Sequence, residues 1–328
     1  MLLTRNRALR HARKEKFDEF YTQITDIEKE LGHYEKHFKG KTVYCNCDDP
    51  RVSNFFRYFS LNFERLGLKR LITTCYKSDD ANLFSRHNKT QAVWLEFNGD
   101  LNGNGIPDPE EIGVFPLKGD GDFRSDECIE ILKQADIVVT NPPFSLFREY
   151  VAQLIKFDKK FLIIGNKNAV TYKEIFPLFK ENKVWFGPSI TSGDREFQIP
   201  RNVETRSKSL RVDASGKKFI RVPGVHWFTN LDHSKRHEEL VLYKSFSPED
   251  YPTYDNVDAI EVGLTVEIPK EYPGLMGVPV TFLDKYNPDQ FEILGLDDIG
   301  NGWRGRGPDL KGKPKYRRII IRNKRLAS

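Results

Sequence analysis

The chain has 328 residues, 38% of them hydrophobic and 12% aromatic, with a formal net charge of +5. That length suits about two structural units with a sizeable core, and the composition excludes a disordered or fibrous chain. No apolar run approaches the ~18 residues a membrane helix needs, and Met1-Leu2-Leu3 leads straight into Arg5, Arg7, Arg10 and Arg13 with no apolar leader. The expectation is a soluble chain, neither membrane-bound nor secreted. The four cysteines (Cys45, Cys47, Cys75 and Cys128) form no C-x-x-C pair and are too few for a disulfide framework, so reduced thiols in the cytoplasm are expected.

Charge is concentrated at the ends. Residues 1–17 hold six Lys/Arg against Glu15, and residues 301–328 hold ten against Asp309, so the stretch between them is net negative. Two basic arms on an acidic body suit a polyanionic partner. In the C-terminal arm Arg304, Arg306, Lys311 and Lys313 are the candidate phosphate contacts, since cations on a flexible tail release counterions from nucleic acid. A solvated tail that touches nothing is the alternative.

In chain order, Thr25-x-x-Glu28 reads as a capping box, and Ile27, Leu31, Tyr34 and Phe38 keep helical spacing up to Gly40. Thr42 to Cys47 reads as a buried strand, with Asp49 and Pro50 opening the helix that carries Val52, Phe55, Phe56, Phe59, Phe63 and Leu66 to its stop at Gly67. Strands follow at 71–75, 137–140 and 161–164, the last two each followed by a helical stretch, at 146–156 and 172–182. Such alternation predicts a parallel, doubly wound α/β sheet. Beyond about Gly187 the pattern changes to short β-like runs, such as Val225–Thr229 and Val278–Leu283, which suggests a β-rich recognition region.

The most specific segment is Asp136-Ile137-Val138-Val139-Thr140-Asn141-Pro142-Pro143-Phe144-Ser145. It reads as a strand ending abruptly in Asn-Pro-Pro-Phe. Two prolines stiffen the turn and keep the preceding residue extended, so the Asn141 side chain and the Pro142 carbonyl sit at the carboxyl edge of the sheet, where ligands bind in open α/β folds. Two rigid acceptors beside an aromatic face suit a planar group bearing an NH2. They can hold both amino hydrogens and aim the nitrogen lone pair at an electrophile while Phe144 stacks on the ring. The bland reading is a proline stop before a helix capped by Ser145.

With this segment in place the chain resembles the EcoRI-type adenine-specific DNA methyltransferase family. The resemblance also rests on Asp18-Glu19-Phe20-Tyr21-Thr22, on Val43 to Phe55, on Gly119-Asp120-Gly121-Asp122-Phe123-Arg124-Ser125, and on Met276 to Leu283. It implies a Rossmann-like sheet that binds S-adenosylmethionine, with a C-terminal β-rich target-recognition region. By the same resemblance Asn141, Pro142, Pro143 and Phe144 are the catalytic residues. Phe20, Tyr21 and Thr22 would hold the methionine part of the cofactor, Asn46 and Asp48 its amino end, and Asp122 and Phe123 its adenine. The implied layout is a basic arm (1–17), a catalytic domain (18–187), a target-recognition and sheet-completing region (188–300) and a basic tail (301–328). The implied partner is double-stranded DNA, in an enzyme expected to act as a monomer and to share its site with a cognate restriction endonuclease. Two departures from the wider methyltransferase pattern stand out: no glycine lies between Cys45 and Pro50, and no acidic residue ends the second strand at Thr74-Cys75-Tyr76.

The same Asn-Pro-Pro-aromatic motif occurs in enzymes resembling rRNA guanine-N2 and release-factor glutamine methyltransferases, and a catalytically silent DNA-binding protein could keep the fold, so both alternatives stay open. No metal is expected at the catalytic turn. Asp100, Asn102, Asn104, Asp108 and Glu111 fit a calcium-loop pattern, but the flanks read as strands, and a β-hairpin with an Asn/Gly-rich tip is the favoured reading. His233 and His237 share helical spacing without a third ligand and read as solvated surface.

Overall fold

A computed structural model of the chain describes residues 22–47, 53–74, 92–104, 107–191, 194–199, 208–298 and 307–326. It divides into two compact units, Met1–Lys167 with Ser189–Leu231, and Asn168–Pro188 with Asp232–Ser328. The domain cut expected at 187/188 lies beside one of three crossings between them. Residues 188–300 are therefore shared between the units.

The first unit opens with α1 (Ile24–Leu31) and α2 (Glu35–Phe38). The single helix expected from 25 to 38 is broken at Gly32-His33-Tyr34. Glu30 is fully buried there, accepting from the Tyr34 hydroxyl at 3.0 Å and the Ser189 amide at 2.9 Å, and the turn brings these groups to it. The N-cap of α1 is Gln23, with no side-chain bond, in place of Thr25. Next come β1 (Thr42–Asn46), buried along its whole length, then α3 (Asn54–Leu61) and α4 (Phe63–Leu66). Ser53 caps α3, its hydroxyl accepting from the amides of Phe55 and Phe56. Gly67 at φ +61 ends α4 in the left-handed conformation that glycine adopts without penalty.

β2 (Arg70–Thr74), β3 (Val93–Phe97) and β4 (Ile112–Pro116) follow, then α5 (Asp126–Gln134), β5 (Ile137–Thr140), α6 (Phe147–Lys156) and β6 (Lys160–Asn166). α5 escaped the sequence reading, although Ser125 caps it by accepting from Cys128 N at 3.3 Å. Ser145 does not cap α6: residues Phe144–Leu146 form a 3-10 turn and Leu146 takes the cap position. β1 pairs in parallel with both β2 and β5, and β5 in parallel with β6. β3 and β4 extend the β2 side as an antiparallel hairpin.

β7 (Trp185–Phe186) falls in the second unit, and the chain then returns to the first with β8 (Arg195–Ile199), β9 (Arg211–Val212), β10 (Lys218–Val222) and β11 (Val225–Thr229). β11 runs antiparallel to β6, so in this unit the strands lie in the order β4-β3-β2-β1-β5-β6-β11. This is the mixed α/β, Rossmann-like sheet with a parallel centre. β8, β10 and β9 form a separate antiparallel sheet. Phe38, Phe55, Phe59 and Trp227 are fully buried and meet edge to face, Phe38 on Phe59 at 5.2 Å and Phe55 on Trp227 at 6.1 Å. Each contributes roughly 1.5–3 kcal/mol by leaving water.

The second unit adds β12 (Ile260–Glu261), β13 (Met276–Pro279), β14 (Phe291–Leu296), β15 (Asp309–Leu310), β16 (Lys313–Pro314) and β17 (Arg318–Asn323), with four of them in the order β12-β13-β17-β14. The strand expected at 278–283 stops at Pro279, and Val280–Lys285 is 3-10 helix. Residues 307–326 are not a solvated tail. β17 lies between β13 and β14, antiparallel to both, and Ile319, Ile320 and Ile321 are fully buried. Flanking cations hid a three-isoleucine core strand in what reads as a basic run.

The expected surface pair His233 and His237 also divides. His233 is buried, with Nε2 at 3.1 Å from the Phe186 carbonyl, while His237 is exposed and lies between Asp232 (2.8 Å) and Asp289 (3.2 Å). Among the described residues no helix is long and apolar enough to cross a membrane, and Cys45, Cys47 and Cys128 form no disulfide.

Two carboxylates are buried in this unit, Asp297 paired with Arg317, and Glu261, whose Oε1 and Oε2 accept from Arg318 at 2.7 and 3.0 Å and which also accepts from the Tyr254 hydroxyl. Burial works against its ionisation, but the bonds from Arg318 and Tyr254 outweigh burial and hold the carboxyl below its usual 4.5. A depressed folded value means that the stabilisation is complete above the unfolded value and is lost as pH falls towards the folded one. Thermal unfolding followed from pH 7 to pH 3 should therefore show Glu261→Gln less stable at neutrality by roughly 3 kcal/mol, with a smaller acid-induced drop than the parent chain.

Candidate active site

The centre of the first unit is the β1/β5 pair. The chain leaves β1 towards β2 on one side and later returns to β5 on the other, so the strand order reverses between them. A crevice opens at the carboxyl ends of such a pair, because the connections that follow the two strands depart in opposite directions. The pair is pinned at its start, where Asp136 Oδ2 accepts from Thr42 N at 2.8 Å and Asp136 N donates to the Thr42 carbonyl at 2.9 Å. It is pinned again at its end, where the Thr140 hydroxyl donates to the Asn46 carbonyl.

Asn141 and Pro142 follow Thr140 and are buried, Asn141 to 6% exposure. Pro143 is extended (φ −55, ψ 123), and its carbonyl accepts from Leu146 N at 3.0 Å, closing the 3-10 turn that carries Phe144. Phe144 is half-buried and packs on the edge of the core. α6 then begins at Phe147, whose ring meets Phe228 at 4.9 Å. Beneath it lies Gly165 of β6, where a Cβ would collide with the Phe147 ring and stand 3.0 Å from Phe228. A bare backbone in β6 is what lets α6, and the turn before it, settle onto the sheet.

On the other side of the crevice β1 ends in Asn46, buried, with its Oδ1 accepting from the Tyr150 hydroxyl of α6. Burial pushes the Tyr150 hydroxyl well above the usual tyrosine range, so it stays protonated and donates. Cys47 follows at φ +74, a left-handed conformation that glycine normally occupies and that costs a side-chain-bearing residue about 1 kcal/mol or more. Asp122 and Phe123 lie in the turn before α5. Asp122 accepts from Arg124 at 2.6 and 2.9 Å, which holds its carboxyl below the usual range and ionised, and Arg124 reaches Glu149 of α6 at 3.0 Å. Phe123 is buried edge-on against Tyr150 at 4.9 Å.

Residues 8–324 match the family described as adenine-specific methyltransferase EcoRI. The chain belongs to this EcoRI-type family. It is 49% identical to the Type II methyltransferase M.EcoRI of Escherichia coli over 98% of each chain. It is 39% identical to the Type II methyltransferase M.MgeORF184P of Mycoplasma genitalium, covering 96% of this chain and 98% of that one. A third relative, the Type II methyltransferase M.MpnI of Mycoplasma pneumoniae, is 38% identical over 95% of this chain and 97% of its own. No solved structure matches.

In this EcoRI-type methyltransferase some of the described candidate residues are brought together and others are not. Asn46, Asp122, Phe123 and the Asn141–Phe144 turn are linked through β1, β5 and α6. Thr22 is tied to the helix that follows β1, because Asn54 of α3 donates to its carbonyl at 2.7 Å. The Thr22 hydroxyl is buried without a hydrogen-bond partner among the described residues. Phe20, Tyr21, Asp48, Arg304 and Arg306 lie outside the described residues. Lys311 and Lys313 are exposed at the β15/β16 hairpin, whose tip at Lys311 and Gly312 has φ +51 and +71, as a two-residue turn of this kind requires.

The calcium-pattern loop is the tip of the β3/β4 hairpin and closes on itself. Glu111 accepts from the amides of Leu101, Asn102 and Asp108, and Asp108 Oδ2 accepts from the side chains of Asn102 and Asn104. Asp100 accepts from Gly103 N. No group of three or more His, Cys, Asp or Glu that could hold a metal occurs among the described residues. Tyr150, which joins the Asn46 side chain to the Phe123 ring, is absent from the residues singled out in the sequence. Its signal was faint: a polar tip on the buried face of the helix that follows the proline turn.

Gly165→Ala tests the seating of that helix. Overpacking at Phe147 should lower the unfolding midpoint by an amount worth about 1–3 kcal/mol and slow methyl transfer with it, measured by calorimetry and a radiolabelled methylation assay.

Proposed function

We propose that this chain transfers the methyl group of S-adenosylmethionine to the N6 amino group of an adenine flipped out of duplex DNA, at one specific sequence. The observation that carries the reading is the proline-stiffened Asn141–Phe144 turn at the carboxyl end of β5, beside the end of β1 where strand order reverses. The Type II names of three relatives spanning almost the whole chain support DNA as the substrate class.

The residues fit the cofactor. A buried Thr22 hydroxyl without a partner among the described residues, an Asn46 amide and an ionised Asp122 carboxylate suit a ligand rich in amino, carboxylate and hydroxyl groups. Phe20, Tyr21 and Thr22 would hold the methionine part, Asn46 and Asp48 its amino end, and Asp122 and Phe123 its adenine. When bound, the cofactor supplies a methyl group on a positively charged sulfur.

Positioning and polarisation are left to the protein. The Asn141 amide oxygen and the Pro142 carbonyl accept the two N6 hydrogens, drawing the nitrogen lone pair out of the ring and directing it at the methyl carbon; as the N–C bond formed, the S–C bond would break, S-adenosylhomocysteine would leave as a neutral thioether, and one N6 proton would pass to solvent. Pro143 fixes the turn, and Phe144 stacks on the purine. Flipping the base costs a few kcal/mol, which stacking and these hydrogen bonds offset. Lys311 and Lys313, with Arg304 and Arg306, contact DNA phosphates without reading sequence. The enzyme acts as a monomer in the cytoplasm, and a cognate restriction endonuclease shares its site.

Asn141→Ala should lose at least ~100-fold in methyl transfer while still binding cofactor and duplex. Full activity in that variant would remove Asn141 from the mechanism. Expression in a methylation-free host, followed by modified-base sequencing and a parallel assay on ribosomal RNA, should report N6-methyladenine at one DNA sequence and no label in RNA.

A further inference from the structure

Three residues on one face of α6 grip the elements to which the cofactor has been assigned. Glu149 accepts from Arg124 at 3.0 Å. Tyr150 donates to Asn46 Oδ1 and sets its ring against Phe123 at 4.9 Å and 67°. Gln153 Nε2 donates to the Phe123 carbonyl at 2.9 Å. The same helix starts three residues after Phe144, so one rigid body carries the catalytic turn at its head and holds both cofactor segments on its flank.

We propose that Tyr150, backed by Gln153, is a positioning residue for the methyl donor: it fixes the Asn46 amide and the Phe123 ring in the orientation that binds the donor, and ties both to the Asn-Pro-Pro-Phe turn. A purely structural tyrosine in this place would need only its ring. Here the hydroxyl is spent on the side chain of the residue that ends β1. The Asn46 backbone is already held from the other side by Thr140. With its backbone fixed by β5 and its amide by α6, Asn46 has little rotamer freedom left to lose when a ligand arrives, and binding costs correspondingly less. The inference rests on the assignment of Asn46 and Phe123 to the cofactor.

Tyr150→Phe keeps the ring on Phe123 and removes only the hydroxyl. Measured by calorimetry with S-adenosylmethionine and by steady-state kinetics on duplex DNA, it should raise the cofactor Kd and KM by roughly three- to tenfold, the range one hydrogen bond carries. The turnover number should fall by less than KM rises, and DNA affinity without cofactor should hold. In an Asn46→Ala background the same change should add less than about twofold, because the residue acts through Asn46. Additive effects, or an unchanged cofactor KM, would overturn the role of Tyr150. If Asn46→Ala itself bound cofactor normally, the assigned pocket would fall instead. Should circular dichroism show Tyr150→Phe unfolded, Gln153→Ala provides the second test. A raised cofactor KM in that variant supports the proposal, and an unchanged one overturns it.

Discussion

The parallel pairing of β1 with β5 is the constraint from which the rest of the site follows. Its register is fixed at the start by the two-way bonding of Asp136 with Thr42 and at the end by the Thr140 hydroxyl on the Asn46 carbonyl. A parallel strand that slipped by one residue would turn every side chain to the opposite face. Here a slip would bury Asn141 in the sheet or swing it away from the crevice. Pinning both ends of a two-strand overlap is how a short strand, Ile137–Thr140, holds a reactive turn steady.

At the end of β1 Cys47 stands in a left-handed conformation that glycine normally occupies. Side chains, not bare backbone, join the neighbouring elements: Tyr150 bonds the Asn46 amide and packs on the Phe123 ring, and Arg124 bridges Asp122 to Glu149. Bare backbone is used elsewhere. Gly165 lies under Phe147, where any side chain would lift α6 off the sheet.

Much of this was legible in the linear pattern. Runs of apolar residues at 42–47, 71–75, 137–140 and 161–164 marked the four parallel strands because strands buried on both faces need nearly continuous hydrophobicity. The prolines of Asn141-Pro142-Pro143-Phe144 announced the turn, since proline fixes its own φ and restricts its neighbour. Other features misled. Thr25 carried a capping signature but stands inside α1, whose N-cap is Gln23, and the helix breaks where Glu30 is buried against Tyr34 and Ser189. Arg317, Arg318 and Arg322 disguised β17 as a tail, because net charge does not reveal that three intervening isoleucines face a core.

The sequence by itself determined the chemistry-bearing turn, the parallel α/β alternation and the family, because these depend on local backbone restriction, on periodicity and on residue identity along most of the chain. Tertiary structure alone decided that α6 links Asn46, Phe123 and the Asn141–Phe144 turn, and that β11 returns to the first sheet. It also decided that the last strand is the heart of the second. These are contacts between residues 23 to 104 positions apart, and no spacing rule in a single chain encodes which distant partner a tyrosine hydroxyl or an isoleucine face will meet.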